Sequence, residues 1–191
     1  MKKPTIFVIV ILLIGLCLFG GDANAGNPFK KKQHEPSGVN ATTRPAVQDT
    51  FCGATFGSSY STTLSKIKKK YKSGIMPFGV KYGVSLDMFD FGGFVWSNTV
   101  FYTKPKIGFY RIIMSHDCST TKDAETLFIY FRDLIKEKYG EHVMVTEEDS
   151  VFYKDLNGRS VLLSKKGFSL GLTYSDDILS DIEHARVLNE M

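Results

Sequence analysis

The spacing of apolar and polar positions divides most of the chain into segments of clear period. Tyr60, Leu64, Ile67 and Tyr71 recur three or four residues apart, with Lys66, Lys68, Lys69, Lys70 and Lys72 between them, which predicts a helix stopped at Gly74. A stronger stripe of Ala124, Leu127, Phe128, Phe131, Leu134, Ile135 and Tyr139 predicts a second, longer helix. Thr120 and Asp123 stand in capping-box spacing at its start, and Gly140 ends it. After each helix the period changes to two. Val80 to Met88, Phe94 to Thr103 and Ile107 to Ser115 read as three strands, turning at Gly92-Gly93 and Pro105. Val151 to Lys154, Val161 to Ser164 and Phe168 to Tyr174 read as three more. Asn157-Gly158 is the hairpin signal between the first two of these, and Lys165-Lys166-Gly167 turns between the last two. A short helix from Asp176 to about Leu188 closes the chain.

Helix followed by three strands thus occurs twice. Ile67-Lys68-Lys69-Lys70-Tyr71 and Ile135-Lys136-Glu137-Lys138-Tyr139 lie 68 residues apart, each closing its helix. The expected fold class is α+β: two helix-plus-three-strand halves, 50–117 and 118–191, in one domain. Their strands join in one antiparallel sheet packed by two helices on one face, with a short C-terminal helix.

The N-terminal residues bear on compartment. Lys2 and Lys3 precede an apolar run from Ile6 to Phe19, then Ala23-Asn24-Ala25, the form of a signal peptide cleaved near Ala25. The run is 14 residues, short of the roughly 18 that a spanning helix needs. The expected location is periplasmic or secreted. Bulky Leu16 before Cys17 argues against a lipoprotein. Residues 26–49 hold three prolines and few large apolar side chains, and read as a disordered basic leader. Within it, Lys30, Lys31 and Lys32 could weakly touch an anionic membrane surface.

Charge and cysteines narrow the picture further. The full chain has 24 basic and 20 acidic residues; removing Lys2, Lys3 and Asp22 leaves 22 and 19, a net +3, too mild to imply nucleic acid. The same cut leaves Cys52 and Cys118, each just ahead of a helix, and in an exported chain an even count favours a disulfide. Closing that loop would stabilise the fold by about 4 kcal/mol.

Motifs for chemistry are sparse. Phe51-Cys52-Gly53-Ala54-Thr55-Phe56-Gly57 precedes a helix as a phosphate loop does, but Ser58-Ser59-Tyr60 follows, without the lysine such loops use; Ser58, Ser59 or Ser61 is instead expected to cap the helix. His116 and Cys118, two apart, could form a thiol nucleophile, against which the export signal and partner cysteine both argue. No metal-ligand spacing, hydrolase elbow or cofactor motif is present, so no cofactor, metal or catalytic residue is assigned. The acidic clusters Asp87/Asp90, Glu147-Glu148-Asp149 and Asp176-Asp177-Asp181 suit turns and helix starts. The aromatic run from Phe89 to Tyr110 is mainly core material, with Phe94, Trp96 and Tyr102 as the candidate binding face.

Phe56-Gly57-x-Ser59 before a helix, Phe91-Gly92-Gly93-Phe94 before a strand and Lys138-Tyr139-Gly140 after the second helix resemble motifs of small exported bacterial α+β domains of unassigned function. More faintly, the pattern is similar to helix-plus-sheet accessory proteins of outer-membrane assembly, from which it departs by its second half and by lacking a lipobox. No functional residue carries over from either. The expected function is a non-enzymatic envelope domain binding a protein or small ligand, in envelope maintenance or as an inhibitor. The alternative is an envelope hydrolase with an acidic or Cys/His site.

Overall fold

The computed structural model describes residues 44–79, 82–147 and 149–182; the expected signal peptide and most of the expected leader lie outside them. The chain divides into one unit containing residues 44–89 and 96–182, and another whose described part is the hairpin tip 90–95. In that tip Gly92 and Gly93 have φ of 64° and 71°, the two positive values that a two-residue hairpin turn requires.

The main unit is α+β. β1 (Thr50–Phe51) and β2 (Ala54–Thr55) form a small hairpin, followed by helix α1 (Tyr60–Lys70) and strands β3 (Ile75–Phe78), β4 (Gly83–Phe91), β5 (Phe94–Lys104) and β6 (Gly108–Asp117). Helix α2 (Thr121–Tyr139) then precedes a 3-10 turn and strands β7 (Met144–Glu147), β8 (Ser150–Lys154), β9 (Arg159–Lys166) and β10 (Ser169–Asp176). Residues 177–182 are helical. The larger sheet has eight strands in the order β3-β4-β5-β6-β10-β9-β8-β7, and its registered pairs are antiparallel. Each helix is therefore followed by four strands rather than three. The unexpected pair, β3 and β7, are the two edges of the sheet. Pro77 in β3 removes a ladder donor, which an edge strand tolerates and a central strand does not.

The caps follow from local chemistry. At α1 the serine that caps is Ser59, whose Oγ accepts from the Thr62 amide at 3.2 Å. At α2 the Thr120 hydroxyl accepts from the Asp123 amide at 3.1 Å and donates to the Asp123 carboxylate at 2.9 Å. Gly140, at φ 70°, ends that helix as expected. α1 is shorter than its stripe suggests, because Tyr71 is already extended and caps it. Its buried residues are Thr63 and Ile67, whereas Tyr60 and Leu64 remain half-exposed.

One sheet face is closed. Val151, Leu163, Leu172, Met114 and Thr99 stand opposite one another across five strands, each 2% exposed or less. Phe131 of α2 meets Trp96 with ring centroids 5.1 Å apart, and Tyr139 stacks on Tyr153 at 4.4 Å. Tyr71 at the end of α1 meets Phe89 at 6.0 Å. The core continues under the small hairpin, where Phe51 meets Tyr174 at 5.2 Å and Phe56 meets Phe109 at 4.9 Å.

Two expectations are corrected. Cys52 and Cys118 are both free thiols. Cys52 follows Phe51, whose ring packs on Phe109 at the beginning of β6, while Cys118 follows the far end of β6. Nine residues of strand, roughly 30 Å, run between Phe109 and Cys118, against the Cα separation of about 4–7 Å that a disulfide needs. The helix starts are at opposite ends of β6, not side by side: the Phe109 amide donates to Ser58 O before α1, whereas α2 begins beyond Asp117.

The second correction concerns the leader's last residues, 44–49, which are held on the fold. Asp155, 5% exposed, accepts from the Val47 amide at 2.8 Å, and from the Asn157 and Arg159 amides at 2.8 and 3.0 Å. The Tyr153 hydroxyl donates to Pro45 O at 2.6 Å, and Val47 is 2% exposed. Replacing Asp155 by Ala leaves three amides without their acceptor and should cost about 2–4 kcal/mol. Urea unfolding measures that loss, and limited proteolysis should cut near residue 47 faster in the variant.

Candidate functional site

The residues between the buried rows point to the other face of the sheet. Met144 stands opposite Phe152, Phe152 opposite Leu162, Leu162 opposite Thr173, Thr173 opposite Ile113, and Ile113 opposite Val100. Because alternate residues on a strand project to opposite faces, this row flanks the buried row of Val151, Leu163 and Leu172 and points away from it. Met144 is 52% and Leu162 37% exposed, and the remaining four are half-buried. The result is a nearly apolar stripe across six strands, exposed at Met144 and Leu162 and partly accessible along the rest.

The stripe has polar margins. On one side Ser150, Ser164, Gly171, Ser115 and Asn98 form the next cross-strand row, small enough to leave the apolar side chains standing proud. On the other, Lys154, Ser160, Ser175, Arg111 and Tyr102 form a row. The start of the C-terminal helix is tied there by polar contacts. Lys154 pairs with Asp177 at 2.8 Å, Ser160 donates to Asp177 at 2.9 Å, and Arg111 donates to Ser175 at 3.2 Å and Ser180 at 3.1 Å. Ile178 and Ile182 of this helix are 56% and 52% exposed. Beyond Arg111, Tyr102 packs edge-on against Phe78 at 5.8 Å and near Tyr110 at 6.4 Å, all three half-buried.

Of the three expected binding-face residues, Tyr102 is on this open face. Trp96 is not: it is fully buried against Phe131 and belongs to the core. Phe94 is in the hairpin tip, half-buried. The sequence reading missed the stripe because its members are single aliphatic or aromatic residues on six separate strands, brought together only by register.

Of the groups weighed for catalysis, Asp149, Asp176 and Asp177 have structural partners. Burial is the first cause raising the Cys118 thiol pKa, reinforced by Asp123 and Asp117, the opposite of what a nucleophilic thiolate needs. Asp176 caps the C-terminal helix by accepting from the Leu179 amide at 3.0 Å. Glu125 and Asp149 border a cleft of about 320 Å³ lined also by Phe128, Arg132, Lys136, Val145 and Lys165. Both carboxylates pair with Lys165, 2.8 Å from Asp149 and against Glu125, so they neutralise its half-buried ammonium. Among the described residues no group of three or more His, Cys, Asp or Glu side chains could hold a metal ion.

Cys52 occupies the turn between β1 and β2. Its φ of 52° and the 78° of Gly53 form a two-residue hairpin turn, so the stretch that resembled a phosphate loop is a β-hairpin. Burial pushes the Cys52 thiol up to about 11, partly offset by Lys70, and pushes Tyr139 up to about 12. In the unfolded chain these groups ionise near 9 and 10, so the folded state keeps its protons to higher pH. Stability is then fully present below about pH 9 and falls as pH rises through the folded values. Urea midpoints measured at about pH 8 and about pH 10.5 should show the drop, and Cys52→Ala should reduce it.

No family model matches this chain, and neither a curated protein nor a solved structure is detectably similar to it.

Proposed function

We propose that this protein is an exported, non-enzymatic domain of the bacterial envelope, periplasmic or secreted after cleavage near Ala25, that binds a protein partner on its open sheet face. The observation that carries the reading is the partly exposed, nearly apolar row from Met144 to Val100, aligned across six strands by register. Contiguous exposed apolar surface with a polar rim is the usual mark of a protein contact, and a sheet face offers it at low ordering cost.

The architecture supports the same reading. The ring contacts of Tyr71 with Phe89, and of Phe131 with Trp96, favour both helices lying on the closed face, leaving the other face for a partner. The mirrored strand order, with β6 and β10 meeting at the centre, favours two duplicated halves of one helix and four strands each. A role in envelope maintenance or as an inhibitor fits a binding surface of this kind.

The test is affinity capture from the native envelope with wild-type protein, a Phe152→Asp/Leu162→Asp variant and a Lys122→Glu control. The same discrete partner should be retained by wild type and control and lost by the stripe variant, with circular dichroism unchanged. Capture that survives both aspartates would remove the stripe from the account.

A further inference from the structure

A second surface is set apart by its charge. Between Tyr60 and Lys70, α1 carries Lys66, Lys68, Lys69 and Lys70 and no acidic residue, and Lys72 follows immediately. All five lysines are exposed, and among the described residues none has an ion-pair partner. The helix is anchored by Thr63 and Ile67, both fully buried; Lys68 and Lys69 occupy the outward arc with Ser61, Thr62 and Ser65, while Lys66 and Lys70 flank the buried side, toward the β1–β2 hairpin.

Packing does not require this composition. α2, after the same kind of serine- or threonine-capped start, balances Lys122, Arg132, Lys136 and Lys138 with Asp123, Glu125, Asp133 and Glu137. In α1, Lys66 stands three and four residues from Lys69 and Lys70, spacings at which like charges repel. The helix dipole favours Lys68, Lys69 and Lys70 in the last turn, but Lys66 lies before that turn and Lys72 beyond the helix. The uncompensated repulsion would be relieved by an anionic surface.

We propose that the outer face of α1 docks on a bilayer surface rich in anionic phospholipid headgroups. Shape and residue type favour this occupant over nucleic acid. The lysines fan over a convex helix that meets a plane tangentially, without a groove to follow a strand. They are point charges rather than the arginine forks suited to base and phosphate geometry. Tyr60 and Leu64, half-exposed, line a shallow depression with Ser61, Ser65 and Lys68 on the flank of this face, and Lys68 can lay its apolar stem there while its ammonium reaches a phosphate.

The test uses wild-type protein as recovered from the envelope and reads each lysine separately. Acetylation rates are measured by mass spectrometry without vesicles, with phosphatidylcholine vesicles, and with vesicles containing about 30% phosphatidylglycerol. Lys66, Lys68, Lys69 and Lys72 should slow at least about fivefold with the anionic vesicles only, recovering at about 0.5 M salt, while Lys122 and Lys166 keep their rates. A Lys66→Gln/Lys68→Gln/Lys69→Gln/Lys70→Gln variant should lose the anionic-dependent part of vesicle cosedimentation. Equal rates with all three samples, equal protection by neutral vesicles, cosedimentation retained by the variant, or stronger protection by duplex DNA than by anionic vesicles would each overturn the proposal.

Discussion

Gly108→Ala is expected to lower the unfolding free energy by about 3–5 kcal/mol, enough to unfold much of a marginally stable domain. Gly108 has φ of +85°, and a Cβ there would stand 2.4 Å from Gly57 O and 2.7 Å from Ser58 O. Both are backbone atoms, so no side-chain rotation relieves the clash. The position cannot simply shift, because it is clamped by two hydrogen bonds of 2.7 Å, Gly57 N to Phe109 O and Phe109 N to Ser58 O. These bonds hold the start of β6 to the segment entering α1. Gly57→Ala is the control: its φ is +87°, but nothing lies within 4 Å of a Cβ there. It should cost only the left-handed strain, about 1–2 kcal/mol. Urea denaturation of the two variants separates the terms, and equal losses would refute the close-approach argument.

Trp96→Ala should cost a comparable 3–5 kcal/mol. Trp96 is the largest fully buried side chain, packed on Phe131 beneath α2. Truncation removes its burial and leaves a cavity that the sheet and helix backbones cannot close. A double-mutant cycle with Phe131→Ala should give a coupling of about 0.5–1.5 kcal/mol for the ring contact. The outcome also discriminates between two roles. A surface hot spot at Trp96 would lose partner binding with stability intact, whereas a core residue loses stability first.

The helices were legible in the sequence because their signals are local. Thr120, Asp123 and Gly140 define the ends of α2 through contacts within a few residues, and the stripe from Ala124 to Tyr139 reports a face buried along one element. The long strands β5, β6, β9 and β10 were legible for the same reason. The edge strands were not, since β3 has only four residues with a proline among them and β7 has four ending in Glu147. At the first hairpin, Cys52-Gly53 supplies the turn, but the two-residue strands beside it carry no period to read.

Alternation within β4 and β6 was also misleading, for a specific reason. In β4 the buried positions run Val84, Leu86 and then Phe89, with Met88 at φ 61° absorbing the extra residue. In β6, Phe109 faces Thr103 and Arg111 faces Tyr102, leaving Tyr110 as the bulge. Such bulges switch which parity is buried. A like switch falls within β5, where the buried positions run Trp96 and then Thr99, Phe101 and Thr103, so Trp96 is inside and Tyr102 outside although both have the same parity. The disulfide failed on topology: equivalence of the two cysteines along the sequence did not make them neighbours, since β6 separates them by its length.

The stripe is the feature that sequence could not reveal and on which the functional reading depends. Its most direct test is photocrosslinking in the native envelope from a benzophenone-bearing residue at position 162, compared with one at Ile129, an exposed residue of α2. The account predicts a discrete adduct from position 162 that disappears when Phe152→Asp is added, and none from position 129. An adduct of the same mass from position 129, or no adduct from 162, would contradict it.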